Sequence, residues 1–548
     1  MTMSEYLVTD DLTVLLGFIG VTVFLLQNLY KPQPLVHPIL LGRQSDAGRV
    51  RQPGESPVYR NYGTGLMGRF PIRPDKDVVL VNDLVKSQYD SPRTLWSTKI
   101  TNGQLQDRIA AFGAGISRLI PDESSVLLLL NDSVEFIIAD LALAKYSIAS
   151  LTLSSPKLLT HVLETYSPSA LIIDGDFLPC VLELLYDARE HHQKIIVVGE
   201  VLSELAPKSG GEVETINWRQ VEADGAKLTT AALPPTPRSN DPYTICFFET
   251  PTGEIRAARF THENFTSGVT AIRSMFPPSI ALSTLDTITS GHSLSTPYGR
   301  TIAYAALHEC TSFATLDSAR PFDTSRSKDV HDFRDVFSAT KRPIPPPTIL
   351  FVRPAHLQDL TSCIISRAKK SWMYSLGWRH KIAGLMEGFV SKESLWDRVV
   401  FDAAREFIMG RMAGTLKAVV VSGGPLPNDE LTPARIALSV PIINSHSHPS
   451  TSGPLFATHA LDLQTLPSSG GEPAHVGGPS VNVEVKLAGL RSEDIESMDP
   501  VGEICVRGPS VGTLLPLDQN LDEADSNGEW VKTGELGRVL TNGAFKVL

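Results

Sequence analysis

The stretch that decides the fold is FFETPTGEIR at residues 247–256. The β-branched and aromatic residues at 243–247 predict a buried strand before it. Thr261 is a suitable N-terminal cap for a helix that runs through Phe265. A strand, a short Thr/Gly loop, a cation and a helix are the layout of a loop that holds phosphate groups on backbone N–H groups. We therefore predict a phosphate-binding loop at this point of the chain.

Composition places the chain among ordinary globular proteins with several folding units. It has 548 residues, of which 42% are hydrophobic and 20% are charged, and that length exceeds what one hydrophobic core supports. The net charge of -11 argues against a nucleic-acid partner, because phosphate backbones require concentrated Lys and Arg. The five cysteines are scattered and none is in a C-x-x-C spacing, which argues against a disulfide framework and a zinc knuckle.

An uncharged apolar run lies near the N-terminus, at residues 12–26. It is shorter than the about 20 residues of a spanning helix, but the next four residues extend it to Tyr30. Acidic residues precede the run and basic residues follow it, which predicts that the rest of the chain is cytosolic. We predict a single-pass membrane anchor at 1–30, in the endoplasmic reticulum membrane; a buried N-terminal helix is the alternative.

Short apolar runs alternate with helical patterns in the first half of the chain. The runs at 125–130, 148–153, 170–173 and 194–198 have strand length. Strands separated by helices predict right-handed crossovers and an α/β fold, with a parallel sheet covered on both faces. By contrast, the alternating pattern at 481–487 predicts an antiparallel, β-rich C-terminal part.

These patterns divide the chain into five parts. We predict the membrane anchor (1–30), an extended linker segment (31–95), a first α/β subdomain (96–240), a second α/β subdomain with the phosphate loop (241–460) and a β-rich subdomain (461–548).

Residues 366–381 mix basic and aromatic side chains in the sequence SRAKKSWMYSLGWRHK. Such a mixture suits a helix that lies at a membrane surface. A solvated helix with its aromatic residues packed inward fits the same pattern. Both interpretations stay open from the sequence.

Six segments, in chain order, resemble motifs of the adenylate-forming enzymes, and within them of the long-chain acyl-CoA synthetases. The phosphate loop resembles Y-T-S-G-T-T-G-x-P-K-G followed by T-H. The other five are LSTPYGR (294–300), VVVSGGPLP (419–427), HVG (475–477), GEICVRGP (502–509) and WVKTGE (530–535). The resemblance implies the large N-terminal α/β domain of these enzymes, with parallel sheets covered by helices and a small β-rich subdomain.

The resemblance also implies a reaction. Members of the family activate a fatty acid with ATP and Mg²⁺ to an acyl-adenylate and transfer the acyl group to coenzyme A. ATP or AMP, Mg²⁺, coenzyme A and a fatty acid or acyl-CoA are therefore the expected ligands. The residues at the corresponding nucleotide-binding positions are Thr250, Thr252, Gly253, Arg256, Gly423, Gly424, Asn444, Ser447 and Glu535, and the catalytic positions are Arg256 and His448.

The phosphate loop departs from the family pattern. Thr250 replaces a glycine and restricts the backbone, and Pro251 removes one N–H donor. Glu249 and Glu254 bring negative charge towards a polyphosphate. Arg256 replaces the lysine and keeps its charge with a different donor geometry.

The segment NSHSH at 444–448 departs further from the family pattern, which is Y-G-x-T-E at these positions. Asn444 stands at the aromatic position that stacks on adenine, and His448 stands at the glutamate that binds Mg²⁺. A neutral imidazole is a poor ligand for that hard cation. His446 and His448 can be read as transition-metal ligands or as exposed loop histidines, and we predict no metal site.

Two hypotheses remain for the function. The sequence ends at Leu548, near where the family's small C-terminal domain would begin, so we expect the chain to lack that domain. The first hypothesis is an impaired long-chain acid–thiol ligase. The second is a pseudoenzyme that senses lipid or nucleotide, or acts as a scaffold, at the membrane.

Overall fold

The structure is a computed structural model, and it describes most of the 548 residues. The described ranges are 10–29, 41–62, 71–121, 124–188, 194–199, 214–228, 236–323, 332–464, 471–491, 499–515 and 530–548. Statements about the fold below refer to these ranges.

The described strands, in chain order, are as follows. They are β1 (Ser45–Ala47), β2 (Tyr59–Asn61), β3 (Arg93–Leu95), β4 (Thr98–Ile100), β5 (Ser125–Leu129), β6 (Ala149–Leu153), β7 (Ala170–Asp174), β8 (Lys194–Val198), β9 (Glu214–Asn217), β10 (Pro242–Glu249), β11 (Ile255–Thr261), β12 (Thr287–Ser290), β13 (Ser312–Thr315), β14 (Ile349–Val352), β15 (Ala418–Val421), β16 (Ile442–His446), β17 (Phe456–Ala457), β18 (Gly478–Pro479), β19 (Glu484–Ala488), β20 (Val501–Arg507), β21 (Thr513–Leu515), β22 (Val531–Val539) and β23 (Phe545–Val547).

The described α-helices, in chain order, are as follows. They are α1 (Asp11–Leu29), α2 (Asn102–Leu119), α3 (Val134–Lys145), α4 (Leu159–Tyr166), α5 (Leu178–Ala188), α6 (Trp218–Ala226), α7 (His262–Ser274), α8 (Pro297–His308), α9 (Phe333–Val336), α10 (Pro354–Ala368), α11 (Tyr374–Met386), α12 (Asp402–Met409), α13 (Met412–Thr415) and α14 (Asn428–Leu438). A π-helical turn, Asp397–Phe401, precedes α12.

The first sheet has the strand order β21-β11-β10-β6-β5-β7-β8-β9. Its strands from β10 to β9 pair in parallel. The hairpin partner β11 runs in the opposite direction and pairs antiparallel with both β10 and the edge strand β21. The apolar runs read as strands from the sequence are therefore β5 to β8. The hairpin β10–β11 belongs to this sheet because β10 pairs with β6, although the sequence placed it in the second subdomain.

The second sheet carries the other half of the α/β architecture. Its order is β18-β17-β16-β15-β14-β12-β13-β3-β4, and the six strands from β16 to β3 pair in parallel. Strands such as β14 and β15 are buried along their whole length, as expected for a sheet covered on both faces.

The third sheet is antiparallel and has the order β1-β2-β19-β20-β22-β23. Its inner face holds a small separate core that includes Leu487, Ile504 and Phe545. β1 and β2 come from the part of the chain that the sequence assigned to an extended linker. β2 pairs with β19, with Arg60 opposite Glu484, so this segment is an integral part of the C-terminal sheet.

Two local predictions can be compared with the helices. Thr261 caps α7 and accepts a hydrogen bond from the Asn264 backbone N–H, while the Asn264 side chain accepts one from the Thr261 N–H. The predicted cap is therefore confirmed. Residues 366–381, however, do not form one helix, because α10 ends at Ala368 and α11 begins at Tyr374.

Helix α1 covers most of the predicted membrane anchor, and its large apolar side chains are exposed, among them Phe18 and Phe24. In the described part of the chain, none of the helices combines the length and apolar character needed to cross a membrane. The prediction of a spanning helix at 1–30 therefore has no support there.

Candidate functional site

A cavity lies where β15 and β16 end. These strands pair in parallel, with Val421 opposite Asn444, so the residues that follow them meet at one edge of the sheet. Gly423 and Gly424 follow β15, Ser447 follows β16, and all three line a cavity of about 570 Å³. The structure thus brings together residues that are more than twenty positions apart in the sequence.

Glu535 reaches the same cavity from the third sheet. Its carboxylate lies 2.8 Å from Nε2 of His446, which also lines the cavity. Burial alone would raise the pKa of the Glu535 carboxyl, but the hydrogen bond with His446 and the nearby imidazoles hold this pKa below its usual value. Glu535 is therefore an ionised carboxylate engaged by an imidazole.

The turn after β15 is shaped by glycine and by a buried histidine. Gly423 has a φ of +84°, and a Cβ there would lie 3.0 Å from Cε1 of His292. Nε2 of His292 contacts Oγ of Ser422 at 2.8 Å, and burial lowers the pKa of His292 to about 3. A neutral His292 therefore supports the turn from behind, a role that the sequence analysis missed.

The loop between β10 and β11 closes on itself. Thr250 N–H donates to the Glu254 carbonyl (2.8 Å), and Gly253 N–H donates to the Thr250 carbonyl (2.9 Å). Glu254 N–H donates to Oγ1 of Thr250 (3.1 Å), and Oγ1 of Thr250 lies 2.9 Å from Oγ1 of Thr252. Because Pro251 has no N–H, three of the four backbone donors at 250–254 are used inside the loop. An anion finds few donors here.

Arg256, the cation of the loop, also forms an interaction within the loop. Nη2 of Arg256 lies 2.9 Å from Oε2 of Glu254. The two side chains are 34% and 56% exposed, so this is a surface ion pair of little strength. It nevertheless places a carboxylate at the position from which Arg256 would have to bind a phosphate group.

His448 is buried between the loop and the cavity. Its Nδ1 lies 2.7 Å from Oγ of Ser450, and its ring makes an edge contact with Phe248, the residue before Glu249 at the start of the loop. The pKa of His448 is lowered to about 4, mainly by burial, with smaller contributions from the charges of His446 and Arg256, while the charge of Glu535 opposes the shift. His448 is therefore neutral near pH 7. It is a buried histidine rather than the exposed loop histidine considered above.

The side chains of His448 and Glu535 do not fit as ligands of a protein-bound Mg²⁺ ion. Such an ion requires hard carboxylate oxygens in octahedral geometry, whereas His448 offers a neutral imidazole and Glu535 is held by His446. Within the described ranges, no group of three or more His, Cys, Asp or Glu side chains is suitably placed for a metal ion. We derive no step of the chemistry through a metal held by these residues.

Asn444 lies in β16 and is buried. Its side-chain N–H donates to the carbonyl of His475 at 2.9 Å, and its backbone N–H donates to Oγ1 of Thr458. The amide of Asn444 thus ties β16 to the chain near β18. It does not line the cavity formed by Gly423, Ser447 and Glu535.

A second cavity, of about 850 Å³, lies at the ends of β6, β12, β13 and β14. Its lining includes the basic residues Lys157, Arg334 and Lys341, whose side chains are exposed. His292 lines this cavity and touches the turn that bounds the first one, so the two cavities lie on either side of it. The sequence analysis did not find this cavity, although polar residues after parallel strands were a signal for it.

A buried ion pair supports the whole region. Nη1 of Arg300 lies 3.1 Å from Oδ1 of Asp140, and both side chains are 1% exposed. The guanidinium also donates to Oγ1 of Thr152 and Oγ1 of Thr244, at 2.9 Å each. Tyr304 donates to the other oxygen of Asp140. The pair therefore joins α3 and α8 to β6 and β10.

Comparison with known proteins identifies the family. The family model described as "AMP-binding enzyme" matches residues 84–513. The chain belongs to the AMP-binding enzyme family. The match covers most of the chain, including the phosphate-loop hairpin and the turn after β15, and it confirms the family predicted from the six motifs.

Curated relatives are long-chain ligases. Long-chain-fatty-acid–CoA ligase 1 of Cavia porcellus is 26% identical over 364 residues, which are 65% of this chain and 48% of that protein. The peroxisomal long chain acyl-CoA synthetase 6 of Arabidopsis thaliana is 24% identical over 523 residues, 90% of this chain and 69% of that protein. The chain spans about half the length of the first curated relatives that it matches.

Solved structures show the same fold. A luciferase-like enzyme from the mealworm Zophobas morio has a TM-score of 0.60 at 13% identity, covering 88% of this chain and 97% of that chain. The anthranilate CoA ligase AuaEII, in complex with anthranoyl-AMP, has a TM-score of 0.59 at 14% identity, covering 87% and 78%. The predicted α/β fold of the adenylate-forming enzymes is therefore confirmed.

Proposed function

We propose that this AMP-binding family member is an acyl-CoA synthetase-like enzyme that activates a long-chain fatty acid slowly. The observation that carries the proposal is the cavity of about 570 Å³ lined by Gly423, Gly424, Ser447 and Glu535. Four residues expected to contact the nucleotide, from three separate motifs, converge on one space. The names of the curated relatives support a long-chain fatty acid as the acyl substrate.

The cavity suits a nucleoside monophosphate. The open backbone at Gly423 and Gly424 allows a flat base to approach closely, since neither residue carries a Cβ. The Glu535 carboxylate can accept hydrogen bonds from ribose hydroxyls, and Ser447 adds a hydroxyl. His446 holds the carboxylate at 2.8 Å, so ribose binding has to share or break this contact.

The second cavity suits the phosphate groups of coenzyme A. Lys and Arg are the side chains that bind phosphate, and they outnumber the carboxylates at its wall by one. The basic residues there are Lys157, Arg320, Arg334, Lys341 and Arg353, and the acidic residues are Asp317, Asp323, Asp332 and Asp335. His292, which lines this cavity, contacts the turn after β15, which lines the first one. An acyl group activated in the first cavity would therefore lie near a thiol bound through the second.

The loop geometry explains why activation is slow. Attack of a carboxylate on the α-phosphate builds negative charge that needs N–H donors or a cation. Here Gly253 and Glu254 donate within the loop, and Arg256 pairs with Glu254. Loss of one such donor costs about 10²–10³ in rate in other enzymes.

The closed conformation of the loop also favours a second candidate function. If the loop stays closed, the protein binds nucleotide and acyl chain without turnover and acts as a pseudoenzyme. The two functions differ in one respect, which is whether acyl-adenylate forms at all.

Trapping of acyl-adenylate with hydroxylamine tests the proposal. With palmitate and ATP, we expect acyl-hydroxamate at a rate about 10²–10³ below that of an intact long-chain ligase assayed alongside. Glu535→Ala should reduce this rate further. Nucleotide binding without any hydroxamate would favour the pseudoenzyme, and equal rates for both enzymes would contradict the slow activation.

We further propose that α1 holds the protein at a membrane, with the bulk of the chain cytosolic. The side chains of Leu15, Phe18 and Phe24 are exposed. Transfer of such apolar side chains from water into a membrane lowers the free energy, which supports attachment through α1. Deletion of residues 1–30 should shift the protein from the membrane pellet towards the soluble fraction. Unchanged pelleting would contradict α1 as the sole attachment.

A further inference from the structure

Helix α11 presents large apolar side chains to solvent. Trp372, just before the helix, is 87% exposed, Leu376 is 52% exposed and Met386 is 85% exposed. Within the helix the exposed residues recur every three or four positions and so form one stripe, which comprises Leu376, Arg379, Ala383 and Met386. Trp372 is exposed in the turn just before the helix. We call this set the α11 surface.

The opposite side of α11 carries a buried cation. Gly377 and Lys381 are the buried residues of the helix. Nζ of Lys381 lies 2.6 Å from Oδ2 of Asp397, and Oδ1 of Asp397 lies 2.9 Å from Nη2 of Arg405. This clamp fixes the orientation of α11. The outward position of the helical stripe is therefore imposed by the fold, since a lysine occupies the inner side of α11.

The N-terminal part of the α11 surface is basic, whereas the exposed Glu387 follows Met386 at its other end. The segment 366–382 contains five basic residues and no acidic residue, in a chain with a net charge of -11. Lys369, Lys370 and Arg379 are exposed. In the part of the chain that the structure describes, none of these three forms an ion pair. Their charges are thus available to an anionic partner.

An exposed contact between a basic and an apolar side chain joins α10 to α12. The guanidinium of Arg367, at the end of α10, lies 4.1 Å from the ring centroid of Phe407 in α12. Phe407 is 66% exposed. α10 and α12 thus also present a basic and an apolar side chain to solvent.

We propose that the α11 surface binds an anionic lipid membrane. Exposed Trp and Leu side chains interleaved with Arg and Lys are the composition of helices that lie in the membrane interface. Tryptophan is enriched at that depth, and anionic headgroups complement Lys369, Lys370 and Arg379. This contact is separate from α1 and from nucleotide binding, and it would turn the α10–α12 side of the molecule towards the bilayer.

Fluorescence quenching by brominated lipids tests contact directly on the full chain. All six tryptophans lie in the described part of the chain, and only Trp372 is exposed. With vesicles of phosphatidylcholine and phosphatidylserine whose acyl chains are brominated, the wild-type emission should be quenched. Trp372→Phe should abolish most of this quenching. Because the readout is Trp372 itself, attachment through α1 does not mask the result.

Vesicle affinity supplies the second test. Trp372→Ser with Met386→Ser should weaken binding to anionic vesicles about tenfold or more. The matched control is Val50→Ser with Leu285→Ser, two side chains that are 83% and 88% exposed elsewhere, and it should bind as the wild type does. Lys369→Gln with Lys370→Gln should cost about fivefold per cation. These comparisons are made with Phe18→Asp and Phe24→Asp in every protein, so that α1 does not dominate binding.

Three results would overturn the proposal. Equal quenching of the wild type and the Trp372→Phe variant would exclude lipid contact at Trp372. An equal loss of affinity in the control pair would show that the effect is not specific to the α11 surface. Unchanged vesicle binding combined with self-association that depends on Trp372 would assign the surface to a second copy of the chain instead.

Discussion

At the scale of single residues, Glu254 decides how the phosphate loop can act. Its carboxylate lies 2.9 Å from Arg256, and its backbone N–H is bonded to Thr250. Glu254 thus pairs with Arg256, the cation of the loop, and brings a negative charge to the place where a polyphosphate would bind. Glu249 brings the same charge, but in the described residues Arg256 forms its ion pair with Glu254.

Glu254→Gln should therefore strengthen ATP binding about two- to fivefold and leave AMP binding unchanged. The range follows from the modest strength of exposed ion pairs. Glu249→Gln is the matched control, and it should have the smaller effect. Isothermal titration of ATP and AMP into the three proteins checks this. Equal gains in both variants would mean that total charge, rather than release of Arg256, is responsible.

His448 makes stability depend on pH. Its pKa is about 4 in the folded protein and near 6.5 in the unfolded chain. Between these values the unfolded chain binds a proton that the folded protein does not, so the contribution of His448 to stability is lost as the pH falls from 6.5 towards 4. The loss amounts to about 3 kcal/mol at pH 4.

His448→Gln should remove that part of the pH dependence. Urea denaturation at pH 7.5 and pH 5 should give a smaller difference for this variant than for the wild type. His380→Gln, at an exposed histidine of α11, should leave the difference unchanged. The assignment fails if the variant keeps the full pH dependence of the wild type.

At the scale of elements, the turn after β15 connects the sheet to the cavity. Its two glycines meet different surroundings. A Cβ on Gly423 would lie 3.0 Å from His292 in a backbone conformation with φ of +84°, whereas a Cβ on Gly424 would lie 3.7 Å from the ring of Pro354. The first position is strained for any other residue, and the second is in ordinary contact.

Gly423→Ala should therefore destabilise the protein by about 1–2 kcal/mol and weaken nucleotide binding. Gly424→Ala should change stability by less than about 0.5 kcal/mol. Chemical denaturation and AMP titration of both variants measure the contrast. Similar destabilisation by the two substitutions would contradict the turn geometry described here.

Several elements could be predicted from sequence because their causes are local. The apolar runs that became β5 to β8 and the cap at Thr261 depend on residues within a few positions of each other. The contact between His446 and Glu535 could not be predicted, because it joins residues 89 positions apart. Likewise, the inward position of Lys381 could not be predicted, because its partner Asp397 lies beyond the end of α11.

At the scale of the whole molecule, the buried pair of Asp140 and Arg300 links two helices to the first sheet. Its partners Thr152 and Thr244 belong to β6 and β10, and β10 carries the phosphate loop. Removal of one charge would leave the other buried without compensation. The pair therefore couples the stability of the sheet to the position of the loop.

Asp140→Asn should lower the free energy of unfolding by about 3–5 kcal/mol. Asp46→Asn, which breaks the exposed pair with Arg43, should change it by less than about 1 kcal/mol. Denaturation midpoints of the two variants and the wild type give the comparison. A small effect of Asp140→Asn would mean that the threonines and Tyr304 suffice to hold Arg300.

Nucleotide titration tests the central claim most directly, namely that the cavity binds an adenine nucleotide while the closed loop adds little. Calorimetry with AMP and ATP, each with and without Mg²⁺, should give affinities within about fivefold of one another, and Glu535→Ala should weaken all four. Absence of binding by both nucleotides would contradict the cavity assignment. ATP with Mg²⁺ binding far more tightly than AMP would show that the loop and a metal do engage the triphosphate.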